Sequence, residues 1–295
     1  MKVLLCGASG FIGKQITQAL TLAGHQVVPA RSDRHGAQHA GLVVDFNQDT
    51  NSAIWLPRLA GIDAVVNAVG VLRDTRQRPI QAVHEATPKA LFDACAQAGV
   101  RRVIQISALG IEGSQTRYAQ TKMAADQHLL RYNADDRLDG IVLRPSIVFG
   151  AGGDSSKLFM GLAYSPALLL PQAVIQARVQ PVAVQDLALA VAHLLGPALS
   201  VKGVLACVGP TPLTLADFVA CLRTQLGKRP ARTAALPDIL TRLSARIGDQ
   251  IPSVPWCSES LAMLGQDNVA PAQPFVDVLG RAPVAPADLL KTSWR

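Results

Sequence analysis

The chain has 295 residues, 49% of them hydrophobic and 17% charged, with a formal net charge of +7 at pH 7. That is enough apolar material for one or two cored domains, and it excludes an intrinsically disordered chain. The basic surplus is scattered, densest at Arg73, Arg76 and Arg78, and lacks the concentrated face that nucleic-acid binding requires. It suits an anionic cofactor, an acidic partner or a phospholipid surface.

The cysteines (Cys6, Cys95, Cys207, Cys221, Cys257) form no Cys-x-x-Cys pair, which points to reduced thiols and away from disulfides or a zinc site. Because the first residues already read as a core strand, no signal peptide is expected and the protein reads as cytoplasmic. The longest apolar stretch, Leu158 to Ala177, holds Tyr164, Ser165, Pro166, Pro171 and Gln172, too many interruptions for a membrane-spanning helix. An ordinary packed segment, the wall of a lipophilic pocket, and peripheral contact with the inner face of a membrane or a partner all remain open.

In chain order, Val3–Cys6 reads as a strand leading into Gly7-x-x-Gly10-x-x-Gly13. A helix follows, with Ile12, Ile16, Ala19, Leu20 and Ala23 at helical spacing and Gly24 as its stop. Further strands are expected at Gln26–Ala30, Gly41–Asp45, Ala64–Asn67, Val103–Ser107 and Gly140–Arg144, with helices over Ile80–Ala98 and Tyr118 to about Tyr132. Short apolar runs separated by helices predict a Rossmann-type, doubly wound parallel α/β sheet. Pro181–Leu195 reads as a short strand and a helix N-capped by Asp186; helices are also expected over Thr214–Leu226 and Ala235–Ile247. The expected division is a nucleotide domain of residues 1–148 plus about 180–198, and a smaller substrate-side domain of 149–179 plus 199–295.

Strand, glycine turn and helix make a phosphate cradle, since backbone without Cβ atoms can approach a pyrophosphate at a helix N-terminus. Gly7, Ser9, Gly10, Phe11, Ile12 and Gly13 are therefore candidate cofactor residues. At the end of the second strand, where an acidic residue would select NAD, stands Arg31, with Ser32 and Arg34 as helpers; guanidinium groups suit the 2′-phosphate of NADP. Asp33 keeps NAD open. Asp45 and Phe46 are placed to contact adenine, while Ala68, Val69 and Gly70 offer small residues beside the cofactor. His35 and His39 share a four-residue spacing without a third ligand, so no metal is expected.

The catalytic candidates are Tyr118 and Lys122, four residues apart on one helix face. An ammonium near a phenol favours the phenolate, so Tyr118 is expected to have a lowered pKa and to act as acid or base. Lys122 is also expected to hold the nicotinamide ribose, and Ser107 to hydrogen-bond the same substrate oxygen.

Together these residues resemble the short-chain dehydrogenase/reductase superfamily. The glycine spacing and Leu143-Arg-Pro-Ser-Ile-Val-Phe-Gly150 look like its extended and atypical branches. More narrowly, the chain is similar to bacterial relatives of the dehydrogenase-like accessory subunit of respiratory complex I, with Asp267-Asn-Val, Val278-Leu-Gly280 and Pro286 as the C-terminal match. The resemblance implies a bound NADP(H) or NAD(H), a Ser107/Tyr118/Lys122 catalytic set, and cofactor contacts from Pro145 and Ile147. Ser107 and Tyr118 lie only eleven positions apart, which argues against a bulky nucleotide-sugar substrate. Three readings follow: an NADP(H)-dependent oxidoreductase or epimerase acting on a small or lipophilic carbonyl or alcohol; a non-catalytic nucleotide-binding subunit or assembly factor of a respiratory complex; and an NADP-sensing regulator. For the first, Leu158, Phe159, Leu162 and Leu168 are expected to wall the substrate pocket.

Overall fold

The computed structural model describes residues 1–32, 41–196, 201–250 and 258–294. The first part of the chain alternates strand and helix: β1 (Lys2–Cys6), α1 (Phe11–Leu22), β2 (Gln26–Arg31), β3 (Leu42–Val43), α2 (Ser52–Trp55), β4 (Ala64–Asn67), α3 (Thr87–Ala98), β5 (Arg102–Ile106), α4 (Arg117–Ala134) and β6 (Asp139–Pro145). The remainder forms β7 (Val148–Phe149), α5 (Asp154–Tyr164), β8 (Ala167–Pro171), α6 (Gln172–Gln176), β9 (Arg178–Val179), β10 (Val182–Ala183), α7 (Val184–Leu194) and β11 (Gly203–Cys207). Then come β12 (Leu213–Thr214), α8 (Leu215–Gln225), β13 (Arg232–Leu236), α9 (Asp238–Asp249), α10 (Ser258–Leu264), α11 (Gln273–Leu279) and α12 (Leu289–Ser293).

Seven parallel strands form the main sheet in the order β11-β6-β5-β4-β1-β2-β3. Both faces are covered, so the strands are apolar on both sides and consecutive residues serve opposite cores. Val3 and Leu5 join Ile16, Leu20, Val191 and Phe275 on one face. Leu4 and Cys6 join Trp55, Leu91, Phe92 and Leu129 on the other. Each such side chain contributes about 1.5–3 kcal/mol by leaving water. Because β2 and β4 flank β1 on opposite sides, the strand order reverses there, and the carboxyl ends of β1 and β4 open a crevice.

A third core lies in the smaller unit, where Phe149 stacks on Trp294 at 5.5 Å and meets the edge of Phe218 at 5.8 Å. Phe159 and Leu168 are buried in this core. They hold the unit together, whereas the sequence suggested a ligand wall; Leu158 is half-buried and Leu162 packs against the same core. Among the described residues no helix is long and apolar enough to cross a membrane.

Several expectations shift. Residues 203–207, assigned from sequence to the smaller unit, are the edge strand of the main sheet, and α11 packs Phe275, Val278 and Leu279 into its core. The third strand is shorter than expected because Asp45 bends the chain, its Oδ1 accepting from Asn47 N at 2.9 Å. Asp186 does not cap α7, whose N-cap is Ala183. Its buried carboxylate instead accepts from Arg281 Nη2 at 2.5 Å and Val284 N at 2.7 Å. The helix expected from Ala235 starts only at Asp238, because Pro237 holds the preceding residues extended, as β13. Finally, the Ile80–Ala98 helix contains a π turn, Ala82–Ala86, just before α3.

Candidate functional site

The turn after β1 closes tightly: Gly7 has φ +81°, and a Cβ there would lie 3.0 Å from the Ala68 carbonyl carbon. At Gly13 a Cβ would stand 2.0 Å from the Gly7 carbonyl oxygen, so only glycine lets α1 pack on the turn. Beside this turn is a cleft of about 290 Å³ lined by Gly7, Ser9, Gly10, Arg31, Ser32, Asp45, Phe46, Ala68, Val69 and Gly70. Those ten candidates converge. Ala30, Val44, Asn47, Val71, Arg78 and Val83 complete the walls and had not been singled out for the cofactor. Arg78 comes from the loop after β4 and had drawn notice only as surface charge.

Other candidates lie elsewhere. Phe11 turns its ring toward Gly150 and Gly153, and Ile12 packs on the first core. Pro145 ends β6, its carbonyl accepting from Leu109 N at 2.9 Å, and Ile147 packs against the third core; neither lines the cleft. Asp33, Arg34, His35 and His39 lie outside the described residues.

Does the cleft fit a nicotinamide dinucleotide? Gly7 and Gly10 expose main chain along the cleft, and among the described residues the buried Arg31 Nε has no hydrogen-bond partner. An orphaned buried donor is costly unless a ligand accepts from it. The residues present fit a dinucleotide with an anionic group at Arg31.

Toward the other end, Gly70 links the cleft to the catalytic candidates: a Cβ on it would be 3.6 Å from Lys122 Nζ and 3.7 Å from His84 Nε2. Lys122 is buried, donates to the Ile106 carbonyl at 3.1 Å, and has its pKa pushed down to about 8 by desolvation, against the pull of Asp126. Its Nζ lies 5.9 Å from the centre of the Tyr118 ring. The Tyr118 phenol is pushed up to about 12, by burial first and the Asp126 carboxylate second. That reverses the expected direction. The ammonium is turned to a backbone carbonyl, and the low-dielectric surroundings disfavour the phenolate.

Ser107, expected to meet substrate, donates its hydroxyl to Asp126 Oδ2 at 2.7 Å. Arg144 donates to the same oxygen from Nε and Nη2, each at 3.1 Å, and its Nη1 reaches Glu112. Burial raises the Asp126 pKa against the lowering influence of Ser107, Arg144 and Lys122, and its Oδ1 has no partner among the described residues. His84 is a second unforeseen member. The π turn brings it inward, edge-on to Tyr118 with ring centres 5.2 Å apart. Its Nε2 accepts from Val71 N at 2.9 Å, which assigns the proton to Nδ1, 3.5 Å from Thr121 Oγ1. Burial, then the Lys122 charge, depress its pKa to about 2. The sequence carried one usable signal: Asp126 follows Lys122 by four residues, on the face shared with Tyr118.

A glycine cradle at the switch in strand order, under a parallel sheet covered on both faces, defines a Rossmann-type α/β protein. The chain belongs to the NAD dependent epimerase/dehydratase family, which matches residues 3–195. It is similar to a UDP-glucose 4-epimerase of Vibrio cholerae, 24% identical over 172 residues, 51% of this chain and 52% of that one. It is also similar to the mitochondrial NADH dehydrogenase [ubiquinone] 1 alpha subcomplex subunit 9 of Rattus norvegicus, 24% identical over 263 residues, 86% of this chain and 68% of that one. The chain thus spans about half the length of the first relative and about two thirds of the second. Among solved structures, the NADPH-dependent quinone oxidoreductase of Escherichia coli complexed with NADPH shares the fold, with a TM-score of 0.73 and 16% identity over 98% of each chain.

Proposed function

We propose that the protein is an NADP(H)-dependent oxidoreductase reducing a small or lipophilic carbonyl, with Tyr118 as proton donor. The observation that carries this reading is the buried Arg31 Nε, without a hydrogen-bond partner among the described residues, on the glycine-floored cleft whose far end runs past Gly70 to Lys122. A bound NADPH would supply a hydride. Gly7 and Gly10 leave main chain free to approach the pyrophosphate, and Arg31, with Arg78 on the same cleft, offers guanidinium groups to the 2′-phosphate. A phenol raised to about 12 keeps its proton near neutrality, so Tyr118 is set to donate it to a carbonyl oxygen as that oxygen gains charge. Lys122, held beside Gly70, can turn from the Ile106 carbonyl to a ribose hydroxyl. The quinone named for the Escherichia coli enzyme and the ubiquinone named for the rat subunit support a lipophilic acceptor.

A second reading is favoured by the commitment of Ser107 to Asp126: a non-catalytic NADP(H)-binding subunit or assembly factor of a membrane respiratory complex. One experiment separates them. NADPH and NADH are titrated against the wild type, Arg31→Ala and Tyr118→Phe, and turnover is followed with quinone and ketone acceptors. The enzyme reading expects a loss of NADPH affinity of roughly tenfold or more in Arg31→Ala, as for a charged hydrogen bond. It expects unchanged NADPH binding in Tyr118→Phe with kcat down about a hundredfold or more. Binding without turnover of any acceptor selects the scaffold.

A further inference from the structure

The helix α9 is mounted with its large aliphatic residues outward. Thr241, Ala245 and Gly248, at positions i, i+4 and i+7, face the body of the protein and are buried. Ile239, Leu240, Leu243 and Ile247 fall on the other side, 81%, 51%, 54% and 54% exposed. At 100° per residue these four span one continuous stripe along the helix, bordered by the exposed Arg242 and Arg246. An isolated surface leucine is ordinary; a whole stripe turned away from an available core marks a surface that something covers.

We infer that this stripe docks on an anionic phospholipid bilayer, with α9 lying in the plane of the interface. Charge decides the occupant. From Lys228 to the end of α9 the chain carries five basic residues and two acidic ones, Asp238 and Asp249. Lys228, Arg229 and Arg232 are exposed, and Lys228 stands 5.0 Å over the ring of Tyr164, itself exposed. An apolar stripe edged with cations is the pattern of an interfacial helix, in which aliphatic residues enter the acyl boundary and arginines meet lipid phosphates. A second copy of the chain would bring the same net positive charge of the Lys228–Asp249 segment to the same place. The buried face of α9 is also tied to the loop that carries Val71 and Arg78 to the cleft wall, because Arg73 Nη1 donates to the Gly248 carbonyl at 3.1 Å. Docking needs no turnover, so the inference stands apart from the enzymatic reading.

Vesicle sedimentation tests it, comparing phosphatidylcholine alone with equal parts phosphatidylcholine and phosphatidylglycerol. The wild type is expected to pellet with the mixed vesicles at low salt, to release at high salt, and to stay in solution with phosphatidylcholine. Arg242→Gln and Arg246→Gln should each weaken binding by roughly fivefold. Leu243→Asp combined with Ile247→Asp should weaken it by roughly tenfold or more with thermal melting unchanged, since both positions are exposed. Equal pelleting of these variants and the wild type overturns the inference, as does indifference to phosphatidylglycerol. So does a wild-type dimer in sedimentation velocity that the aspartate pair dissociates, which would make the occupant a second copy. Polyglutamate binding as tight as vesicle binding and untouched by the aspartate pair would name an acidic protein instead.

Discussion

At one end of the cleft the protein presents main chain; at the other it presents side chains. The nucleotide end comes mainly from the carboxyl ends of β2, β3 and β4 and the glycine turn between β1 and α1, where Gly7, Ser9, Gly10, Ala68 and Gly70 leave main chain open beside Arg31 and Arg78. The Tyr118 end is assembled from the π turn, β5, α4 and β6, and it packs Lys122, His84, Asp126 and Arg144 out of solvent, each held by hydrogen bonds. The first depends on space, so its weak point is any added atom. The second depends on compensated charge, so its weak point is any lost partner.

The largest expected effect is at the charged end. Asp126→Ala strands the Arg144 guanidinium and the Ser107 hydroxyl in a buried site, and should destabilise the fold by about 3–5 kcal/mol, read by denaturant titration. NADPH affinity, measured under conditions where the variant stays folded, should change little. At the main-chain end, Gly13→Ala forces a methyl group onto the Gly7 carbonyl, where only backbone can give way. A cost of about 1–3 kcal/mol is expected, with loss of NADPH binding as the turn opens. If Asp126→Ala harms NADPH binding as much as Gly13→Ala does, the two ends are one structure and the contrast fails.

The smallest effect, taken per pH unit, concerns pH. His84 is neutral in the fold down to about pH 2 yet takes up a proton near 6.5 when unfolded, so it makes stability fall as pH drops below about 6.5. Lys122 has its folded pKa lowered to about 8 from 10.5, so the unfolded chain holds a proton the native one has shed, and stability from this group rises between those values. Each slope is at most about 1.4 kcal/mol per pH unit. Melting curves of His84→Gln and Lys122→Met against the wild type should show the acid slope and the alkaline slope, respectively, flattened. Among the described residues the nucleotide end of the cleft is lined by no histidine or lysine, so it should contribute to neither.

This contrast also explains what could be read from the sequence. The β1-turn-α1 unit was legible because strand period, glycine spacing and helix period are all local, and ten of the proposed cofactor residues do meet in one cleft. Tyr118 and Lys122 were legible as a helical pair. Their electrostatics were not, because the sign of the Tyr118 shift depends on burial and on Asp126, and the direction of the Lys122 ammonium on the Ile106 carbonyl. Ser107 sits at the expected strand end, but its hydroxyl is claimed by a carboxylate nineteen positions away. His84 owes its place to a π turn, which the side-chain pattern of an ordinary helix does not reveal. At Pro237 the helix start was missed although the proline was in view; its restriction of the preceding residue outweighed the apolar spacing.

The threading of the chain bears on how it emerges from the ribosome. Six strands of the main sheet are complete by Pro145, but the strand that covers β6 comes from residues 203–207, and one face of the core waits for Phe275, Val278 and Leu279. A nascent chain ending near residue 200 therefore carries β6 as an open edge and an uncovered apolar face, the features that recruit chaperones and drive misassembly. Synthesis runs in one direction while the core closes from both ends, so the half that holds the glycine turn cannot mature before the half that follows it.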